Sequence, residues 1–223
     1  MLYIFTRNLL FMSNIYLLNN QKHENIINLK VFKINYLPIE IDFSQYDALI
    51  FTSKNAITSL QSQKGLWENI DSYAIAAKTS EILLLHKSKL KFVGKTSNGN
   101  DFAHELIPLL ENKNVLYICA KKTVSNLVPI LRNAKINIKE QITYETLCSK
   151  EDKINISKDA VIIFSSPSCI ECFFKQYSWH ESYKAVLIGK TTASFFPSNL
   201  DYVISPTPSI LSCIALAKEL LNK

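Results

Sequence analysis

Apolar positions fall in short dense blocks, and the sharpest block is Ala48–Phe51: four apolar residues with no charge, the pattern of a strand buried on both faces. It breaks at Thr52-Ser53. Ala56, Ile57 and Leu60 then recur at helical spacing, so the two hydroxyls stand where a new helix needs a cap for its first unpaired amides. The same reading predicts strands over 2–5, 29–41 (interrupted by Pro38), 72–76 and 91–94 in the first half. In the second half it predicts strands over 115–119, 136–146, 160–164, 184–188 and 201–204. Helices are predicted over the strongly apolar 9–18 and over 79–86, the latter capped by Thr79 or Ser80. Three more carry apolar faces of Phe102, Leu106, Leu109 and Leu110, of Val124, Leu127, Val128 and Leu131, and of Ile210, Ile214, Ala217 and Leu221. Strands alternating with helices mean parallel α/β sheets.

The pattern repeats. Ile163-Phe164-Ser165-Ser166-Pro167-Ser168 replays the strand-to-hydroxyl turn about 113 residues after Phe51-Thr52-Ser53. The same offset joins Ala76-Ala77-Lys78-Thr79-Ser80 to Gly189-Lys190-Thr191-Thr192-Ala193, and nearly the same offset joins Leu2-Tyr3-Ile4 to Leu116-Tyr117-Ile118. Three segments in register at half the chain length predict two similar α/β units of five strands each.

Composition changes this picture little. The chain has 223 residues, 48% of them hydrophobic and 20% charged, as in a soluble globular protein. Its net charge of +6 would suit an acidic partner. Only Arg7 and Arg132 are arginines, and no basic stripe with interleaved aromatics is visible, so nucleic acid is set aside. The N-terminus lacks a basic leader and is broken by Arg7 and Asn8, which argues against a signal peptide or a membrane span. Five cysteines, odd in number and mostly in apolar segments, match the usage of a reduced cytoplasm.

Most chemical motifs are missing. Cys169-Ile170-Glu171-Cys172 has CxxC spacing, but its twin positions are Ala56 and Ser59, so two small helix residues are the simpler reading. Four scattered histidines have no ligand spacing, which leaves no expected metal. Glycine-rich phosphate loops and a GxSxG elbow are absent from a chain with four glycines. What remains is a set of hydroxyl-rich turns at the carboxyl ends of strands, where open α/β sheets bind ligands. They are Thr52-Ser53-Lys54-Asn55, Lys78-Thr79-Ser80, Ser97-Asn98-Gly99-Asn100, Ser165-Ser166-Pro167-Ser168, Lys190-Thr191-Thr192 and Ser205-Pro206-Thr207-Pro208-Ser209. Each alone is a helix cap. Together they predict two walls for a ligand with many negative groups, held by helix N-termini.

The ordered set resembles the uroporphyrinogen-III synthase family. The likeness rests on Tyr46-Asp47-Ala48-Leu49-Ile50-Phe51-Thr52-Ser53-Lys54-Asn55-Ala56, on Phe164-Ser165-Ser166-Pro167-Ser168 and on Ile188-Gly189-Lys190-Thr191-Thr192-Ala193. Thr6-Arg7, Ile142-Thr143-Tyr144-Glu145-Thr146 and the Ser205 to Ser209 turn extend it from about Leu2 to Leu220. The chain departs from the family pattern at Ala76, where glycine is usual, at Ser80, where alanine is, and in the short charged region around Lys150.

The resemblance implies an α/β fold of two similar domains, each a five-stranded parallel sheet flanked by helices, joined by a pair of extended connector strands. One domain would combine 1–35 with 150–223 and the other would span 40–142, with connectors at about 36–41 and 142–149 and the active site between the domains. It implies closure of hydroxymethylbilane to uroporphyrinogen III, with loss of water and inversion of the last ring, and with no cofactor or metal. Thr52, Ser53, Lys54, Asn55, Thr79, Ser97, Asn98, Gly99, Ser165, Ser166, Ser168, Lys190, Thr191, Thr192, Thr207 and Ser209 are the expected substrate-binding residues, and Tyr144 the expected acid. A cytoplasmic monomer is implied, acting on a small-molecule substrate, with room for transient contact with the upstream synthase and no membrane or nucleic-acid partner. A non-enzymatic module binding a polycarboxylate would need the same turns but no acid.

Overall fold

The computed structural model describes residues 14–149 and 153–222. They divide into two compact units, one built from the residues up to Lys33 together with those from Cys148 onward, the other from Ile34 to Leu147.

In the first unit the strands are β1 (Ile15–Leu18) and β2 (Ile27–Asn28), and later β9 (Val161–Phe164), β10 (Lys184–Leu187) and β11 (Tyr202–Ile204). They form a sheet in the order β11-β10-β9-β1-β2, and all its pairings are parallel. Strand β9 is buried along its length because helices cover both faces. Alternate residues part accordingly. Ile162 and Phe164 pack with Tyr16 and Leu18 beneath α5 (Pro167–Gln176) and α6 (Lys190–Ala193), while Val161 and Ile163 pack with Leu17 against α7 (Ile210–Leu221).

The second unit holds β3 (Phe32–Tyr36), β4 (Ala48–Phe51), β5 (Asp71–Ala74), β6 (Leu90–Val93), β7 (Asn114–Ala120) and β8 (Asn137–Cys148), in the order β3-β8-β7-β4-β5-β6. Its helices are α1 (Lys54–Thr58), α2 (Ala77–Leu85), α3 (Gly99–Leu110) and α4 (Leu127–Asn133). Ala48, Ile50 and Tyr117 face α3 and α4, whereas Leu49, Phe51 and Ile118 face α1 and α2. Strand orders β10-β9-β1-β2 and β5-β4-β7-β8 correspond place for place. Two of the three sequence pairs are therefore repeats in space, with β9 taking the part of β4 and α6 that of α2, whereas the pairing of 2–4 with 116–118 is corrected: the counterpart of β7 is β1.

Three further expectations are corrected. The helix predicted over 9–18 is, in its described part, the buried strand β1, and the strand predicted over 2–5 lies outside the described residues. An apolar run cannot by itself separate a short buried strand from a buried helix. The strand predicted over 29–41 is observed only as β3 (Phe32–Tyr36), with Leu29 and Val31 before it buried in the first unit and Ile34 packed in the second. That crossing adds a sixth strand to the second sheet in place of the expected five. Leu37 N–H donates to Thr143 O (2.9 Å) and Ser149 N–H to Val31 O (2.8 Å), so β3 and β8 run antiparallel at the edge.

Candidate functional site

In the second unit the turn after β4 gathers the polar side chains. Ser53 caps α1 by accepting from Asn55 N–H at 3.1 Å, and Thr52 Oγ1 lies 2.8 Å from Tyr117 OH. Lys54 is exposed and Asn55 half-buried. One turn on, Ser59 Oγ donates to Thr143 Oγ1 at 2.7 Å and so ties α1 to β8. The next residue of β8 is Tyr144, 6% exposed, its ring 6.5 Å from that of Tyr36. Burial pushes the Tyr144 phenol above the usual tyrosine range, and a hydrogen bond from the Ser53 side chain draws it partway back. Tyr117 is raised more strongly by burial, against the lowering effect of its bond to Thr52. Burial also pushes the Cys119 thiol up to about 12. Tyr144 and Ser53, both expected site residues, thus come together.

Asn98 caps α3, accepting from Asn100 and Asp101 N–H at 2.8 and 3.2 Å. Ser97 takes a left-handed backbone (φ 57°), and Gly99 lets α3 start against Ser125, whose Cβ and Oγ would both lie 2.5 Å from an added Cβ.

In the first unit Ser166 caps α5, accepting from Cys169 N–H at 3.4 Å with Pro167 at the first helical position. Ser165 Oγ donates inward to Leu18 O at 2.9 Å. Ser168 is half-buried, while Lys190 and Thr191 at the start of α6 are exposed. Ser209 caps α7 by accepting from Ser212 N–H at 3.1 Å, with Thr207 Oγ1 3.5 Å from its hydroxyl.

Some expectations fail here on geometry. Helix α2 begins two residues before Thr79, and its cap is Ala76, which has no side-chain bond to give. Thr79 (6% exposed) and Thr192 (3% exposed) are buried, and their amides already donate to Ala76 O and Gly189 O. Neither hydroxyl is available at the surface. Helices α1 and α6 have five and four residues, too short to sum the aligned dipoles of a long helix, so an anion site there would rest on local amides and hydroxyls. Cys172 is not a plain helix residue either. It forms a disulfide with Cys148, which departs from the reduced usage expected of the cysteines.

Sequence reasoning missed Tyr117, Thr143 and the Cys148 partner, because each acquires its role from a neighbour distant in the chain. For Tyr117 a faint signal existed: a tyrosine inside the otherwise apolar block Val115-Leu116-Tyr117-Ile118. Among the described residues no group of three or more His, Cys, Asp or Glu could hold a metal ion. None of their helices is long and apolar enough to cross a membrane.

Fold and site together define an α/β protein whose parallel strands end in hydroxyl-rich turns, one of them beside a buried tyrosine. A sequence model of the family described as uroporphyrinogen-III synthase HemD matches residues 31–215. Among solved structures, the uroporphyrinogen-III synthetase of Helicobacter pylori 26695 superposes with a TM-score of 0.81 at 30% identity, covering 94% of this chain and 100% of that one. A mutant uroporphyrinogen III synthase from the extremely thermophilic bacterium Thermus thermophilus superposes at 0.58 with 13% identity, covering 93% and 98%, a likeness of fold alone. No match was found among curated proteins. The chain belongs to the uroporphyrinogen-III synthase family, and its place is in tetrapyrrole (haem) biosynthesis.

Proposed function

We propose that the protein is a hydro-lyase that closes hydroxymethylbilane to uroporphyrinogen III, with Tyr144 as the acid. Family membership supports the reaction, and the observation that carries the site is Tyr144 buried on β8, next to the Ser59–Thr143 hydrogen bond that ties β8 to α1. The pyrrole lone pair breaks the bond from carbon to the hydroxymethyl oxygen. The departing hydroxide takes the Tyr144 proton and leaves as water. The azafulvene left behind is attacked by the far ring at its substituted carbon. That carbon carries no hydrogen, so the ring regains aromaticity by breaking its bond to the neighbouring methylene, which becomes a second azafulvene. The free α-carbon of the same ring then attacks that azafulvene, which inverts the ring, and the proton lost from this carbon restores the phenol. Free in solution the bilane closes to the symmetric type I isomer, so the main task is to hold both ends of the substrate.

Eight carboxylates need many donors and no single strong one. We assign them to the turns of both units: Thr52, Ser53, Lys54 and Asn55; Ser97, Asn98 and Gly99; Ser165, Ser166 and Ser168; Lys190 and Thr191; Thr207 and Ser209. Thr79 and Thr192 are left out because they are buried. The two compact units would act as the family's two domains, with the β3 and β8 crossings as connectors. The same reading takes the enzyme as a cytoplasmic monomer that works without cofactor and meets the upstream synthase transiently. An assay fed with hydroxymethylbilane that resolves type III from type I product tests it. Type I product alone would favour a binding module.

A further inference from the structure

Tyr117 occupies the middle of the second sheet, with Ile50 of β4 as its Cα partner, and its side chain lies among Ala48, Val115, Cys119 and the α3 and α4 residues. It is 3% exposed. A phenol in such a place loses its hydration, so its hydroxyl needs a partner. That partner is Thr52 Oγ1, 2.8 Å away and two residues beyond Ile50 on the neighbouring strand. Two residues of strand rise are about 6.6 Å, the reach of a tyrosine side chain leaning along the strand.

The repeated unit is an internal control. The position equivalent to Tyr117 is Leu17, which pairs with Ile163 as Tyr117 pairs with Ile50. The equivalent of Thr52 is Ser165, whose hydroxyl turns inward to Leu18 O. An apolar residue therefore serves the sheet at this place, and the fold has no need of the phenol. The phenol belongs to the turn that also carries Ser53, and Ser53 faces Tyr144 from the opposite side of the sheet.

We propose that Tyr117 is a positioning residue of the substrate site: it donates its proton to Thr52 Oγ1 and so leaves the Thr52 hydroxyl hydrogen to point at a substrate carboxylate. A phenol is a stronger donor than an aliphatic alcohol, which favours this sense of the bond. The opposite sense would turn Thr52 lone pairs toward an anion. The inference rests on the reading that the Thr52 to Asn55 turn takes a carboxylate of the bilane.

The test is steady-state kinetics with preformed hydroxymethylbilane, together with melting temperatures, for Tyr117→Phe, Thr52→Val, Thr52→Ser and the double variant Tyr117→Phe/Thr52→Val. Loss of one oriented neutral hydrogen bond predicts a KM raised about 3- to 10-fold for Tyr117→Phe, with kcat within about twofold. Thr52→Val should match it, the double variant should be no worse than either single one, and Thr52→Ser should stay near wild type. A Tyr117→Phe protein with wild-type KM and a lowered melting temperature would make Tyr117 packing only. Should Tyr117→Phe not fold, Thr52→Val and Thr52→Ser decide: equal KM values in these two would overturn the proposal. Ser53→Asp and Tyr144→Phe separate the two levels. If both keep full activity the turn does not meet substrate, whereas if both are impaired and Tyr117→Phe is not, this inference alone falls.

Discussion

Tyr144 and Ser53 carry the chemical part of the account, and both can be altered without disturbing the fold. Tyr144→Phe keeps the ring that packs in the α1 and α2 core and removes only the proton donor. General acids are commonly worth about 10²–10⁴-fold, but the pyrrole already expels this leaving group, so turnover should fall about 10²-fold while product stays type III. Wild-type turnover would leave Tyr144 as core packing. Because burial raises its phenol, Tyr144 stays protonated through neutral pH, and kcat should hold level until pH passes the ordinary tyrosine range. The sign for stability is the same. The folded phenol keeps its proton where the unfolded one loses it, so stability is full below about pH 10 and declines as pH rises further. A kcat limb falling between pH 7 and 9 would assign the acid elsewhere. For Ser53→Asp and Ser166→Asp the fold offers a clean comparison, since aspartate caps a helix as well as serine does. Melting temperatures should be unchanged while KM rises steeply from repulsion of a carboxylate. Removing one hydroxyl, as in Ser166→Ala, should cost about 0.5–1.5 kcal/mol of binding at most.

Elements show which sequence signals are physical and which are only suggestive. Strands β4 and β9 were legible because four uncharged apolar residues before a hydroxyl have few other uses. The Ser53 and Ser166 caps were legible for the same reason, with helical spacing following at once. Strand β1 was not, since Ile15–Leu18 is embedded in a longer apolar run whose period favours neither helix nor strand. The crossing at β3 was hidden because one continuous pattern of apolar residues serves two cores in turn. The Cys148–Cys172 disulfide was hidden by distance: it joins the end of β8 to the middle of α5, 24 residues on. Nearby, Gln176 Nε2 donates to Val31 O at 2.7 Å, so α5 is fastened to both chain crossings within the first unit. Closing a loop of this length is worth about 3 kcal/mol. Thiol reductants should therefore lower the melting temperature of the wild type and leave a Cys148→Ser/Cys172→Ser variant unmoved. Equal response of both proteins would contradict a stabilising bond. Gly99→Ala should cost about 1–3 kcal/mol in thermal or denaturant melts, because its new methyl meets Ser125 where α3 begins.

At the scale of the whole molecule, duplication explains why so little conspicuous chemistry appears in the sequence. Two similar sheets each end in hydroxyl-rich turns, and a substrate that brings its own electrophile and eight carboxylates asks for position more than for reactive groups. The likeness to the H. pylori synthetase extends over 94% of this chain. The central claim is that these turns steer ring closure. Its most direct test is the isomer composition formed from hydroxymethylbilane as enzyme concentration rises, with no metal or nucleotide added. Type III product should increase at the expense of type I until it is nearly the sole isomer. Type I product that persists unchanged at saturating enzyme would contradict it.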